Sequence, residues 1–298
     1  MEKITVFTPC FNAAKTINRV YDSLLQQTYN NFEWIIVNDG SIDNSLDMIK
    51  KFKAEGKLDI KIINQENSGK HIALNKALDV ATGYFFITID ADDGIFPWGL
   101  GLFISMWNLI PTNERENFCG MKAKSCDNDT NVYRGKNFGN KAWLDTDLIS
   151  FRFKMKLDNW EMIQMIRTDI YRQYKSPEIK GRFFPEIICQ YEMAKKYKIR
   201  FIDYPTRMYY INGPSLTHSN YNKSRENIYL WTYLVNNFDG LPNLNFKLFT
   251  KAIIGMMRDT MYNNKKSGFD FKCIKLKRKR FYAYLMYPVA FWLYKNGK

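Results

Sequence analysis

The chain is poor in the residues that hold transition metals and disulfide frameworks. Its 298 residues include two histidines and five cysteines, and no two cysteines form a CxxC pair. A structural zinc site or a disulfide framework is therefore not expected, and the cysteine usage fits a reducing compartment. Residues 1–12 also lack the basic and apolar regions of a signal peptide. These features predict a cytoplasmic protein.

Long hydrophobic runs are equally scarce. Residues 94–113 carry no charge, but Pro97 and three glycines interrupt their first half, and residues 281–294 form a shorter uncharged run that contains Pro288. Both fall short of the roughly 20 good helical residues that a membrane span requires. The first run therefore predicts a buried helix.

Acidic residues are too few to balance the basic ones, and the net charge is +14. Residues 265–298 contain ten Lys or Arg and one Asp, so they contribute nine of these charges. A polybasic segment beside the aromatic run 281–294 predicts in-plane binding to an anionic membrane, at the inner face of the cell membrane. The alternative is a helix packed on the body with a solvated basic face. With the charge placed there, nucleic acid is not expected as a partner.

The first hundred residues alternate between strand and helix patterns. Apolar runs predict strands over 4–9, 32–39, 59–64 and 84–90, and helical periodicity falls over 13–27, after Asp43 and over 69–81. This alternation predicts βαβ units and an α/β fold with a doubly wound, mostly parallel sheet. In such sheets, ligands bind at the carboxyl ends of the strands.

The pattern is looser in the remainder of the chain. Residues 113–140 predict a polar loop region with one short strand near 131–134. Further elements are a strand entering a short helix over 160–168, a strand over 201–211, and helices over 187–197, 241–264 and 280–294.

An acidic cluster follows the fourth predicted strand. Asp90 and Asp92 are two residues apart, so in extended geometry both side chains point to one side. Mg²⁺ or Mn²⁺ between them would offset their repulsion and neutralise a diphosphate leaving group. The alternative is a turn or a helix cap, which is the interpretation that we favour for Asp93.

A second polar cluster, NDGS, follows the second predicted strand. Gly40 permits a sharp turn, and the carboxylate of Asp39 could accept a hydrogen bond from N3–H of uracil or thymine. The alternative is a structural turn in which Asp43 caps the next helix.

Four motifs occur in a characteristic order: TPCFN at Thr8, NDGSIDNS at Asn38, ENSGKHIALN at Glu66 and IDADD at Ile89. In order and spacing they resemble the signatures of family 2 glycosyltransferases. That family has the GT-A fold, uses nucleotide-diphosphate sugars and inverts the anomeric centre. Residues 182–210 more weakly resemble a subgroup that acts in bacterial surface polysaccharide assembly.

The resemblance implies a set of nucleotide-sugar-binding residues: Thr8, Pro9, Asn12, Asp39, Asn67, Gly69, Lys70, Asp90, Ala91 and Asp92. Asp39 would contact the base, and Lys70 would contact the diphosphate. Asp90 and Asp92 would be the metal-binding DxD pair, with Asp92 as the more direct ligand. His218 could contact the metal or the diphosphate, or be an ordinary loop residue.

Inversion in a single displacement requires one general base. Many relatives supply it from a Glu-Asp pair that opens a helix, but here the chain reads Phe-Pro-Glu-Ile and the pair is absent. Glu186 is the candidate base, with Asp158 and Glu161 as alternatives. His71 could contact the donor or cap a helix. Trp98, Trp143 and Trp160 could be sugar platforms or pack in the interior.

These features together predict a metal-dependent, inverting transferase that moves a sugar from a UDP-sugar to a glycan or lipid-linked acceptor. The GT-A catalytic domain would span 1–220, with a nucleotide-sugar-binding half (1–110) and an acceptor-side half (111–220). A helical region with the basic tail would occupy 221–298. The rival interpretations are a nucleotidyltransferase of related fold and a catalytically inactive sugar-binding module.

Overall fold

The computed structural model describes residues 2–157, 162–179, 184–210, 227–264 and 268–296. The chain divides into two compact units. The first contains Met1–Arg182 and Cys189–Ser215, and the second contains Phe183–Ile188 and Leu216–Lys298. Within the described ranges, no helix combines the length and hydropathy of a membrane span.

Ten strands form one sheet. They are β1 (Ile4–Cys10), β2 (Phe32–Asp39), β3 (Ile60–Gln65), β4 (Phe85–Thr88), β5 (Gly94–Ile95), β6 (Phe118–Asp127), β7 (Tyr133–Arg134), β8 (Trp143–Thr146), β9 (Ile163–Arg167) and β10 (Lys198–Tyr209). The strand order is β3-β2-β1-β4-β9-β6-β10-β5, with β7 beside β6 and β8 beside β10. The first four of these strands are mutually parallel. The predicted α/β class with a mostly parallel central sheet is confirmed.

Six helices connect or follow these strands in the first part of the chain. They are α1 (Ile17–Leu25), α2 (Ser45–Ala54), α3 (Lys70–Val80), α4 (Gly99–Asn108), α5 (Thr168–Gln173) and α6 (Ile187–Ala194). A short 3₁₀ segment, Thr112–Asn117, and a π-helical segment, Ser150–Lys154, lie between strands. The buried helix that we predicted in 94–113 is α4, and the predicted passage from strand to helix near 168 is β9 followed by α5.

The core lies between the central strands and the helices that cover them. Val6, Trp34 and Ile87 are fully buried on adjacent strands, which explains why these strands are continuous apolar runs rather than alternating ones. On α1, Ile17, Val20 and Leu24 face this core at helical spacing.

The predicted loop region over 113–140 is corrected by the structure. Its centre is β6, a ten-residue strand that is buried throughout and lies between β9 and β10. The polar residues that suggested a loop are buried and bonded to other side chains. Lys122 donates to Oε1 of Gln190 at 2.7 Å, and Lys124 forms an ion pair with Asp203. The predicted short strand near 131–134 is β7.

A buried glutamate holds three strands together at their amino ends. Glu33 on β2 is fully buried and accepts hydrogen bonds from Thr5 (2.7 Å), Lys61 (2.9 Å) and the backbone N–H of Thr82 (2.6 Å). Burial by itself would raise the pKa of Glu33, but these bonds outweigh it and lower the pKa to about 2.

The second unit is helical. It contains α7 (Ile228–Asn237), α8 (Leu241–Leu244), α9 (Phe246–Asn264) and α10 (Lys277–Lys295). The long helix α9 contacts both α7 and α10. Gly255 permits the close packing of α7, because a Cβ there would lie 2.7 Å from Nε1 of Trp231.

Candidate active site

The polar clusters converge because β1 to β4 are parallel and their carboxyl ends meet at one sheet edge. The register pairs Cys10 with Asn38, and Asn38 with Asn64. Phe7 pairs with Thr88, two residues before Asp90. The segments TPCFN, NDGS, the loop after β3 and DADD therefore lie along one edge.

Asp39 organises the loop between β3 and α3. Its Oδ1 accepts from Nε2 of Gln65 at 2.6 Å and from the backbone N–H of Ser68 at 2.8 Å, while Oδ2 accepts from the backbone N–H of Gly69 at 2.9 Å. A carboxylate offers roughly four acceptor positions, and these bonds use three of them. Oε1 of Gln65 is buried beside it and, within the described part of the chain, has no hydrogen-bond partner.

Gly40 allows this loop to approach β2 closely. Its φ is +74°, and a Cβ there would lie 2.7 Å from the backbone nitrogen of Asn67. Only glycine combines this backbone conformation with the absence of a side chain. Asn67 is exposed on the surface of this loop.

The loop after β1 is joined to the loop after β2. Asn12 has a φ of +50°, its Oδ1 accepts from the N–H of Ile42 at 2.9 Å, and its own N–H donates to Oγ of Ser41 at 3.0 Å. Asp43 accepts from the backbone N–H of Ala14 at 3.1 Å and from that of Ser45, at the start of α2, at 3.0 Å. The turn that we considered at Asp43 is therefore present, but the N-cap position of α2 is occupied by Asn44, one residue later, and not by Asp43.

Thr8 and Pro9 lie near the carboxyl end of β1. The side chain of Thr8 is fully buried, and its Oγ1 accepts from Nε1 of Trp34 at 2.9 Å. Pro9 is half-buried. Any contact of Thr8 with a ligand is therefore left to its backbone.

Lys70 and Asp90 form the charged centre of this edge. Lys70 is the first residue of α3, and its Nζ lies 2.6 Å from Oδ1 of Asp90. Both side chains remain a little over one-third exposed. Burial opposes ionisation of Asp90, but the charge and the hydrogen bond of Lys70 prevail and hold the pKa of Asp90 below its ordinary value.

Asp92 completes a pair of carboxylates. Burial raises the pKa of Asp92, and the charge of Asp90 raises it further, because nearby carboxylates repel each other when both are ionised. A hard divalent cation would relieve this repulsion, and carboxylate oxygens are the ligands that Mg²⁺ and Mn²⁺ prefer. The donor set therefore fits such an ion. No cluster of three or more His, Cys, Asp or Glu side chains with metal-binding geometry occurs in the described ranges.

Asp93 has a different environment from its two neighbours. It is buried, and Oδ2 lies 3.3 Å from Nη1 of Arg207 on β10. Burial raises the pKa of Asp93 to about 7, although Arg207 lowers it in part. Its N–H donates to the carbonyl of Asp90 at 3.0 Å, so the turn that we favoured for Asp93 is formed.

Two arginines near the acidic loop were missed from the sequence. Nη1 of Arg19 on α1 donates to the carbonyl of Asp92 at 3.0 Å, and Arg207 bonds Oγ of Ser125 at 2.8 Å as well as Asp93. Arg207 could have been recognised from the sequence, because a cation inside a buried strand requires an anionic partner. No comparable pattern marks Arg19.

The remaining candidates divide into three groups. His71 is buried and its Nε2 lies 3.1 Å from the carbonyl of Ile179, so its contact is within the fold. Trp98 and Trp143 are each about 40% exposed. The candidates that lie outside the described residues are Asp158, Trp160, Glu161 and His218.

Glu186 is half-buried and directly precedes α6. It belongs to the second compact unit, whereas the residues at the sheet edge belong to the first. The backbone N–H of Ile188 donates to the carbonyl of Pro185 at 3.1 Å, which begins the helical turn around Glu186.

The family model for glycosyl transferase family 2 matches residues 5–177, more than half of the chain. This chain belongs to that family. The match covers the whole sheet edge described above, from β1 to the loop after α5.

Two curated relatives support this membership. The glycosyltransferase YibD of Escherichia coli is 39% identical over 95 residues, which cover 32% of this chain and 27% of that protein. The teichuronic acid biosynthesis glycosyltransferase TuaG of Bacillus subtilis is 35% identical over 91 residues, covering 30% of this chain and 36% of that one. The matched segment is thus about a third or less of each relative's length.

Solved structures with little sequence identity share the fold. TarS of S. aureus, in complex with UDP-GlcNAc, has a TM-score of 0.64 at 16% identity and covers 99% of this chain and 92% of its own. The mannosyltransferase PcManGT of Pyrobaculum calidifontis, in complex with GDP-Man and Mn²⁺, has a TM-score of 0.55 at 17% identity, with 97% and 86% covered. These likenesses confirm the predicted GT-A fold.

Proposed function

We propose that the protein is an inverting, metal-dependent glycosyltransferase that moves a sugar from a UDP-sugar to a hydroxyl of a glycan or lipid-linked acceptor. The observation that carries the proposal is the sheet edge. The region that the family model matches includes this edge. The edge contains the loop held by Asp39, the Lys70–Asp90 ion pair and a second carboxylate, that of Asp92.

The donor would bind along this edge. Asp39 has one remaining acceptor position for N3–H of the base, and Gln65 presents a second acceptor beside it. Lys70 begins α3, where its charge and the N–H groups of the first turn favour phosphate. The same fold accommodates UDP-GlcNAc in TarS and GDP-Man in PcManGT, so the base contacts near Asp39 would decide between uridine and other nucleosides.

Asp90 and Asp92 would hold Mg²⁺ or Mn²⁺. When bound, the ion would neutralise the negative charge that develops on the diphosphate leaving group. PcManGT, which shares the fold, was solved with Mn²⁺. On the protein side, Lys70 would stabilise the same charge as a fixed cation.

Transfer would proceed by a single displacement. The acceptor oxygen attacks the anomeric carbon, the bond from that carbon to the diphosphate oxygen breaks, and the nucleoside diphosphate leaves with the electron pair. Glu186 would take the proton of the acceptor hydroxyl.

The acceptor side is proposed from kinship and charge. TuaG is named for teichuronic acid biosynthesis, which supports a role in surface polysaccharide assembly. The basic excess in residues 265–298 would hold the enzyme at the anionic inner face of the cell membrane, where a lipid-linked acceptor is presented.

The proposal is tested with purified protein, a panel of nucleotide-sugars and Mn²⁺ or Mg²⁺. We expect one UDP-sugar to raise the melting temperature only when metal is present, because a ligand that binds the folded state stabilises it. Release of UDP with acceptor would then be measured. Stabilisation by no nucleotide-sugar, with or without metal, would contradict the proposal.

Substitutions of Asp92 and Glu186 test the roles proposed for these two residues. Asp92→Ala should abolish transfer while the fold remains intact, and Asp47→Ala, at an exposed carboxylate on α2, is the matched control. Glu186→Gln should lower kcat by about a hundredfold or more and leave donor binding unchanged, with Glu192→Gln on α6 as its control. Near-normal turnover of Asp92→Ala would exclude the metal role, and near-normal kcat of Glu186→Gln would exclude that base.

A further inference from the structure

The outer face of α10 is apolar where a surface helix is normally polar. Phe281, Tyr284, Leu285, Val289 and Trp292 are each between 45% and 66% exposed. Apart from the adjacent Tyr284 and Leu285, they are spaced by three or four residues, so they form one stripe, which we name the α10 stripe. At 1.5 Å per residue the stripe is about 16 Å long. Pro288 is the other exposed residue within it.

The opposite face of α10 is already occupied. Ala283 and Ala290 are fully buried, and the hydroxyl of Tyr282 lies 2.8 Å from Oγ1 of Thr250 on α9. Tyr262 on α9 donates to the carbonyl of Tyr294 at 2.9 Å. The helix is therefore held mainly by its inner face, and of the α10 stripe Tyr284 also packs within the fold, its ring stacked on that of Phe271 with the centroids 3.9 Å apart.

Charges flank the stripe rather than interrupt it. Lys275, Lys277 and Arg278 are exposed at its amino-terminal end, and Lys295 is exposed at the other. Lys279 is buried instead, where its Nζ bonds the carbonyl of Val235 at 2.6 Å and Asp239 at 2.9 Å. Lys279 is therefore not available to bind a partner, although it belongs to the polybasic segment.

We infer that α10 lies in the plane of an anionic membrane interface and inserts the α10 stripe among the lipids. The inference deepens, and rests on, the membrane location proposed above. An apolar stripe with cations at both ends matches a bilayer surface, because apolar side chains enter the acyl boundary while the cations remain at the headgroups. Trp292, near one end, is of a residue type enriched at this depth.

The solvated basic face of the alternative considered from the sequence does not extend along the uncharged part of this helix. Between Phe281 and Trp292 every exposed residue is apolar or aromatic. A second copy of the chain could cover such a stripe, but a cluster of cations at one end and a further cation at the other are better matched by anionic headgroups than by an identical surface.

The test is sedimentation of the full chain with vesicles of phosphatidylcholine alone or of phosphatidylcholine with phosphatidylglycerol. Leu285→Ser should lower the partition coefficient about tenfold on the anionic vesicles, because the leucine no longer contributes buried apolar area. Lys277→Gln and Arg278→Gln should each lower it about fivefold on anionic vesicles.

Matched controls exist in the first unit. Leu109 is 58% exposed, against 55% for Leu285, so Leu109→Ser should leave vesicle binding unchanged. Lys51 and Lys53 are exposed on α2, and their conversion to Gln should also have no effect. Release of UDP from a soluble donor and acceptor should be the same in all these variants, so a failure of the membrane inference is distinguishable from a failure of the proposed activity.

Three results would overturn the inference. One is wild-type protein that does not sediment with anionic vesicles. Another is Leu285→Ser that binds them as the wild type does. The third is a wild-type dimer in analytical ultracentrifugation that Leu285→Ser converts to monomer, because the α10 stripe would then be a contact between copies.

Discussion

Acid should destabilise this protein through one buried carboxylate in particular, Glu33. Its pKa falls from an ordinary value of 4.5 to about 2 in the folded state, because hydrogen bonds from Lys61, Thr5 and Thr82 outweigh the cost of burial. The fall of this pKa from 4.5 to about 2 corresponds to about 3 kcal/mol of folding free energy. Since the folded pKa is depressed, this stabilisation is present above pH 4.5 and is lost as the pH falls toward 2.

The perturbation is Glu33→Gln, which keeps the shape of the side chain and removes its charge. We expect the variant to be less stable than the wild type by about 3 kcal/mol at pH 7. The difference should shrink through the window from pH 4.5 to 2, because the wild-type carboxyl becomes neutral there too. Urea unfolding followed by tryptophan fluorescence measures the free energy at each pH.

The control is Asp47→Asn, since Asp47 is exposed and its nearest cation, Lys50, is 4.0 Å away. Exposed pairs contribute little to stability, so this variant should follow the wild-type pH profile. A Glu33→Gln deficit that is equally large at pH 2.5 and pH 7 would refute the reasoning, and so would the absence of any deficit at pH 7.

Two further predictions concern the donor site. Lys70→Met should reduce kcat/KM for the donor by about a hundredfold, because the diphosphate loses its fixed cation; Lys76→Met, an exposed position on the same helix, should not, and equal activity of the two variants would contradict the role of Lys70. Gly40→Ala should weaken donor binding, measured by the shift in melting temperature, because a Cβ there meets the backbone of the next loop at 2.7 Å. Gly56→Ala is the matched control, because Gly56 also has positive φ (+65°) but open space around it, and a similar loss of binding in both would show that backbone strain alone is responsible.

Much of the structure of residues 1–110 could be predicted because its signals are local. Helix α3 begins and ends within one residue of the predicted 69–81, since its limits are set by Gly69 and by the turn at Gly83. The parallel strands were recognisable because burial on both faces makes them continuous apolar runs. Because these strands run parallel, their carboxyl ends meet at one edge of the sheet. The convergence of NDGS and DADD at that edge follows from this topology alone.

The same reasoning failed farther along the chain, because charged residues are buried there. Strand β6 looks like a loop because Lys122, Lys124 and Asp127 occur within it. A lysine can enter the interior only with a partner, and the partners of the two lysines, Gln190 and Asp203, are more than 60 residues away. No local window of sequence contains that information.

The sequence by itself determined the family, the sheet edge and the candidate carboxylates at that edge, because motifs and strand periodicity are encoded within short segments. The tertiary structure decided how the four acids at the edge differ. Asp39 clamps a loop, Asp90 pairs with Lys70, Asp92 remains beside it, and Asp93 turns inward to Arg207. It also decided that α10 presents an apolar face outward. Both depend on which distant groups are brought into contact, and this is a property of the folded chain only.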